Sequence, residues 1–175
     1  VTQTAFRSDV VAFLQNTWFP PATAPIHRER YVSDPLFRSR VLATSATGLR
    51  LRRAWGSLYD RVWWDNASPR TDGEARRAMF PPDPHHMRAV VGHNRPRVVV
   101  LYGAMTDLGF SQLCQLYPER PWAEQLYVVR CPHPAAFDIA TAPVMRAAAV
   151  DACAHARWPI PGPVEGVIRR HPTRE

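Results

Sequence analysis

The chain has 175 residues, 46% hydrophobic and 21% charged, proportions that fit one globular domain and exclude a disordered chain. No stretch approaches the roughly 18 consecutive apolar residues of a spanning helix, and no basic segment followed by an apolar one suggests a secretory signal, so a cytoplasmic setting is expected. The formal net charge is +7 and all 22 basic residues counted are arginine, with no lysine. The positive excess predicts an anionic partner, nucleic acid first. The missing lysine excludes a lysine Schiff base and a Walker-type phosphate loop. Cys114, Cys131 and Cys153 form no C-x-x-C pair, so neither structural zinc nor an iron–sulfur cluster is expected, and the thiols should be reduced and mostly buried.

In chain order, Val10–Leu14 (VVAFL) reads as the first strand. Residues 19 to 35 follow, with prolines at 20, 21, 25 and 35, and read as a long irregular loop. Ser33, Asp34 and Pro35 mark a helix start, Asp34 as cap and Pro35 at the first helical position. That helix is expected to break near Thr47 and Gly48 and to resume to Trp55. Arg61–Asp65 (RVWWD) is the second predicted strand. Asp83 and Pro84 start another helix, with Met87, Val90, Val91 and Asn94 at helical spacing. Arg97–Tyr102 (RVVVLY) is the third strand, Asp107 to Leu116 a helix, Leu126–Arg130 (LYVVR) the fourth strand, and Ala142 to Trp158 the last helix. Continuous apolar strands alternating with helices predict an α/β fold whose parallel sheet is buried on both faces. One domain over residues 1–158 is expected, with a Pro/Arg-rich tail over 159–175.

Ligand sites in open parallel sheets form at the carboxyl edge. Strand 1 runs into Gln15, Asn16, Thr17 and Trp18; strand 2 into Asn66, Ala67, Ser68, Pro69 and Arg70; strand 4 into His133, Pro134, Ala135, Ala136 and Phe137. Amides and one imidazole would converge there. No carboxylate pair accompanies them, which argues against two-carboxylate glycoside hydrolysis. Such a site suits a reaction whose leaving group departs as a stabilised ion, with the protein placing water and stabilising charge.

An amide-rich loop after strand 1, an Asn after strand 2 and His-Pro after strand 4 resemble the uracil-DNA glycosylase superfamily. The resemblance covers roughly residues 8 to 158 and implies a three-layer αβα sandwich with a four-stranded parallel central sheet. It implies catalytic roles for Asn16, which would position the attacking water as in the mismatch-specific and single-strand-selective branches, and for His133, which would stabilise charge on the base. It implies base contacts from Gln15, Trp18, Asn66 and Tyr31, with Tyr31 or Phe37 as the stacking aromatic. DNA contacts would come from Ser68, Arg70, Pro134, Ala135 and Phe137, the last as a wedge. It further implies a monomer acting on DNA without metal or other cofactor. Leu14 stands where the family usually has Gly, Thr17 where it has Pro, and Ala135 and Ala136 where it has Ser and a second Pro. A reshaped first loop and small residues in the last motif imply room for a base with a 5-substituent. The resemblance therefore points to glucosylated hydroxymethylcytosine in phage DNA, the substrate of a bacterial anti-phage member of the superfamily. Uracil or mismatch repair, non-catalytic DNA binding and hydrolysis of free nucleosides or nucleotides are the alternatives.

Simpler roles compete for several of these residues. Asn66 can cap a turn, and Asn16 can bond its own backbone. Trp63 and Trp64 fit core packing, His85 and His86 fit an exposed helix start, and Arg50, Arg52 and Arg53 fit either a solvated face or a phosphate track.

Overall fold

The computed structural model describes residues 6–17, 19, 23–71, 80–119, 125–135 and 141–162. Four strands, β1 (Val10–Leu14), β2 (Trp63–Asn66), β3 (Val98–Tyr102) and β4 (Tyr127–Cys131), form one all-parallel sheet in the order β2-β1-β3-β4. Six α-helices join them: α1 (Pro25–Ser33), α2 (Pro35–Thr44), α3 (Ala46–Trp55), α4 (Pro84–Asn94), α5 (Ala104–Leu116) and α6 (Thr141–Ala156). The period of two along each strand sorts the core into two halves. Val10, Ala12 and Leu14 face Leu42, Leu51, Trp55 and Met145 of α2, α3 and α6. Val11, Phe13 and Leu101 face Met87, Val91 and Leu113 of α4 and α5. The result is the expected three-layer αβα sandwich.

The central strands β1 and β3 are buried throughout, as uninterrupted Val, Leu and Phe require. Strand β4 differs from the expectation of burial on both faces. It lies at the sheet edge, and Tyr127 and Arg130 are exposed while Val129 and Cys131 are buried. Trp63 and Trp64 are core residues, as expected. The Trp64 indole N–H donates to the Tyr59 carbonyl at 3.0 Å and that of Trp55 to Tyr102 Oη at 2.9 Å, so these large rings are buried without an orphaned donor.

Helix starts follow the capping residues. Asp34 accepts from the amides of Leu36 and Phe37, and Asp83 from those of His85 and His86, each just before a proline. Four boundaries differ from expectation. The segment read as loop over 19–35 contains α1, because Pro25 occupies the first turn, where it needs no partner for a missing N–H, and no proline follows until Pro35. The break between α2 and α3 falls at Ser45, whose hydroxyl accepts from Gly48 N. Gly48 itself lies inside α3, and a Cβ there would fall 1.7 Å from the Leu42 carbonyl oxygen, so glycine permits the two helices to meet. Strand β2 starts at Trp63 rather than Arg61, because Gly56–Arg61 form a 3-10 turn closed by Val62 N on the Tyr59 carbonyl. Helix α5 also begins at Ala104, ahead of Asp107, entered through Gly103 at φ 95°.

Candidate functional site

At the carboxyl edge, β1 and β2 deliver their loops side by side. Leu14 is in register with Asn66, and pairing continues beyond the strands, with Ala67 N on the Leu14 carbonyl at 2.6 Å and Ser68 N on that of Gln15 at 3.2 Å. Gln15, Asn16 and Thr17 are half-buried here. Asn66, expected after the second strand, is its last residue and is only 4% exposed.

The Asn66 side chain is held by two hydroxyls. Its Nδ2 donates to Thr17 Oγ1 at 3.0 Å and to Tyr31 Oη at 3.3 Å, and the two hydroxyl oxygens are 2.5 Å apart. That short contact needs one hydrogen between the hydroxyls, so both cannot also donate to an amide oxygen. The arrangement orients the amide, with one Nδ2 hydrogen shared between the Thr17 and Tyr31 hydroxyls and Oδ1 without a partner among the described residues. Tyr31 is 3% exposed, edge-on to Phe19, and burial pushes its phenol pKa up. Its hydroxyl therefore stays neutral, and its ring is buried rather than an open stacking face.

Beneath Asn66 lies a buried ion pair that sequence reading missed. Asp65 Oδ2 accepts from Arg38 Nη2 at 2.8 Å and from the Trp63 indole at 3.0 Å; Oδ1 accepts from Asn66 N at 2.8 Å and meets His86 Nε2 at 3.0 Å. Arg38 also donates to the carbonyls of Trp64, Tyr31 and Val32. Burial opposes ionisation of Asp65, but the His86 hydrogen bond and the Arg38 charge outweigh it and hold the carboxyl below its ordinary pKa. A circuit closes from Asn66 N through Asp65, Arg38 and Tyr31 back to the Asn66 amide. His86 is thus half-buried and engaged, contrary to the exposed position expected of it, because α4 packs against the face of β2 that carries Asp65. His85 is exposed, with Nδ1 2.5 Å from Tyr117 Oη. The one available signal was Asp65 itself, a carboxylate in an otherwise apolar strand that needs a buried cation.

Across the edge, Cys131 and Pro132 lead into His133. Its Nδ1 accepts from Ala135 N at 3.1 Å, so in the neutral ring the hydrogen sits on Nε2. Burial pushes the His133 pKa down, which favours that neutral form. Arg50 Nη1 reaches the Pro134 carbonyl at 2.5 Å and ties α3 to this loop, while Arg52 and Arg53 are exposed. Ser68 is buried, whereas Arg70 is exposed with its guanidinium 4.2 Å from the Phe80 ring centroid. Trp18 and Phe137 lie outside the described residues, as does the tail from 163 onward.

The edge thus presents Asn66, Asn16 and His133 in the order of strands β2, β1 and β4, over three strand spacings or roughly 14 Å. This set can donate one hydrogen bond from a neutral imidazole and offer one amide acceptor. Asp65 is fully occupied and is not a vacant general base. Among the described residues no cluster of His, Cys, Asp or Glu could hold a metal ion, and no helix is long and apolar enough to cross a membrane.

Gly103 sets the place of His133. It has φ 95°, and a Cβ on it would lie 3.1 Å from His133 Cβ. Gly103→Ala is expected to displace the imidazole and to cost about 1–2 kcal/mol from the left-handed backbone alone. The check is a melting temperature a few degrees lower together with a shifted His133 ring resonance.

No protein-family model matches the chain, and no curated protein sequence is similar to it.

Proposed function

We propose that the protein is a monofunctional DNA glycosylase, acting as a cytoplasmic monomer on a modified pyrimidine and leaving an abasic site. The observation that carries the reading is the placement of Asn66, Asn16 and His133 at three strand ends along one carboxyl edge, beside a net charge of +7 that suits a phosphate backbone.

In this reading the target nucleotide is flipped out of the stack at a cost of a few kcal/mol. The C1′–N1 bond breaks toward an oxocarbenium-like sugar and an anionic base. The His133 Nε2–H donates to the base O2 as charge gathers there. Asn16 holds the water whose oxygen joins C1′; its proton leaves to solvent or to the departing base. With no lysine in the chain, no side-chain amine is present to form a Schiff base, in keeping with base release without strand cutting.

The orientation of Asn66 favours a cytosine-type base. Its Oδ1 has no partner among the described residues and can accept from the exocyclic N4 amino group, while its Nδ2 is turned toward the Thr17 and Tyr31 hydroxyls. With the room for a 5-substituent implied by the altered first loop and the small Ala135, this supports a hypermodified cytosine such as the glucosylated hydroxymethyl form in phage DNA as the substrate, and anti-phage defence as the role. The test is base release from DNA containing cytosine, uracil, hydroxymethylcytosine or glucosylated hydroxymethylcytosine, scored as alkali-labile sites. Release from the glucosylated substrate supports the proposal. Release from uracil alone makes the protein a repair enzyme. DNA binding without release from any substrate makes it a binding protein on the same fold.

Tyr31→Phe removes one of the two acceptors that hold the Asn66 amide. Held by Thr17 alone, the Asn66 amide can turn its Nδ2 toward O4, which should narrow the preference for an amino-bearing over a carbonyl-bearing base by about tenfold, within the roughly 1–3 kcal/mol of a good base-reading pair. The ratio of kcat/KM on the two substrates measures it.

A further inference from the structure

The opposite, amino edge of the sheet carries a cavity of about 1040 Å³ that the proposed chemistry leaves unused. Its wall includes Asp9 before β1, Arg95 and Arg97 before β3, and His155 and Arg157 at the end of α6. The three arginines are exposed, and no ion pair joins any of them to a carboxylate among the described residues. Helices α4 and α6 both end at this edge, each bringing a partial charge of about −0.5. Asp9 lines the same wall, and Asp151 lies 3.3 Å from His155 Nδ1.

The backbone adds a second, independent observation. Arg95 (φ 48°) and Arg157 (φ 59°) are the two non-glycine residues with positive φ among the described residues. A left-handed helix end is ordinarily given to glycine or asparagine, since Cβ crowds the next carbonyl. Here two separate helices place arginine in that conformation at one cavity. Residues held in disfavoured conformations gather at binding sites.

The third observation is an aromatic platform. Tyr127 and His155 stack with centroids 3.4 Å apart and planes 4° from parallel, and both are exposed. The platform is tied to the arginines at both ends: Tyr127 N donates to the Arg97 carbonyl at 2.9 Å, and His155 stands two residues before Arg157. A flat π surface beside unpaired guanidiniums matches a nucleotide, whose base stacks while its phosphates take bidentate hydrogen bonds. The cavity is at the upper end of the range for small-ligand pockets, about 300–1,000 Å³.

We propose that this amino-edge cleft binds a nucleotide, its base on the His155 ring, which lines the cavity and is backed by Tyr127, and its phosphates among Arg95, Arg97 and Arg157. Five-residue strands put the cleft roughly 16 Å from the carboxyl edge, so it is a second site whose existence does not rest on the glycosylase reading. The nucleotide can be free or part of a strand.

Calorimetric titration of the full chain with ATP, CTP, inorganic tripolyphosphate and a 5′-phosphorylated single-stranded 12-mer tests this directly. ATP or CTP binding identifies a free nucleotide; binding of the 12-mer alone identifies a strand. Either supports the proposal if Arg97→Glu combined with Arg157→Glu weakens it at least tenfold while the melting temperature is retained. His155→Ala should weaken the base-bearing probes at least threefold and leave tripolyphosphate unchanged. Absence of binding by every probe, binding that ignores the arginine pair, or nucleotide binding no different in His155→Ala each overturns it.

Discussion

Replacing His133 with alanine is expected to slow base release by about 10²–10³-fold, the usual cost of removing one preorganised donor from a site of developing negative charge, with little change in fold. The donor is specified by its surroundings. Ala135 N occupies Nδ1, so Nε2 carries the hydrogen, and burial lowers the pKa so that the ring is neutral at pH 7. A neutral imidazole gives away no proton before the bond breaks; it offers a hydrogen bond that strengthens as the base becomes an anion. The rate should therefore stay flat down to about pH 6.5, the ordinary histidine value, and change only below it. There a proton on Nδ1 would face the Ala135 N–H and disrupt the loop. Stability should follow the same ordering. The folded-state pKa is depressed, so the unfolded chain takes up the proton first. The contribution of His133 is complete above the unfolded value and is lost as pH falls through the folded one. Melting temperatures of wild type and His133→Ala compared between pH 8 and 5 should converge toward the acid end. Parallel curves would remove the neutral-donor role.

Much of the fold was legible because burial imposes a simple code on these segments. VVAFL and VVVLY have no polar position to expose and became the two central strands. Asp34 and Asp83 before prolines marked two helix starts correctly, since capping is a local interaction. The proline-rich segment misled because Pro25 was counted as a breaker, although at a first helical position it is compatible with the helix that follows. The edge position of β4 was hidden for a different reason, because LYVVR is apolar enough for either place and only its neighbours decide. At the candidate site, Asn16, Asn66 and His133 were identified from strand ends, which depend on short-range pattern. The circuit behind Asn66 was not. Arg38 and Arg40 stand on the same helix two residues apart, and nothing local says that one is buried on Asp65 while the other is exposed. Likewise, pairing of Thr17 with Tyr31 joins a loop to a helix 14 residues on and is visible only in three dimensions.

That circuit supports the second large effect. Arg38→Met is expected to destabilise the fold by about 3–5 kcal/mol, because it leaves the Asp65 carboxylate buried without its cation. It also strips donors from the carbonyls of Tyr31, Val32 and Trp64. For a domain of this size the melting temperature should fall by about 10 °C. The pH dependence identifies the cause. In the wild type Asp65 has a depressed pKa, so its contribution is present above the unfolded carboxylate value and is lost only as pH falls through the lower folded one. Without Arg38 the His86 and Trp63 hydrogen bonds remain but one cation that offsets burial is gone, so the folded pKa rises and the stability gap to wild type should shrink as pH falls toward 4 and below. A second variant separates the fold from the site. Arg38→Met with Asp65→Leu removes both buried charges and should recover most of the lost stability, as apolar replacement of a buried pair often does. It cannot restore the acceptor of Asn66 N or the donor to the Tyr31 carbonyl. Base release should therefore remain at least tenfold low in a protein that melts near the wild-type temperature. Recovery of both together would reduce the ion pair to a packing element and leave Asn66 positioned by Thr17 and Tyr31 alone.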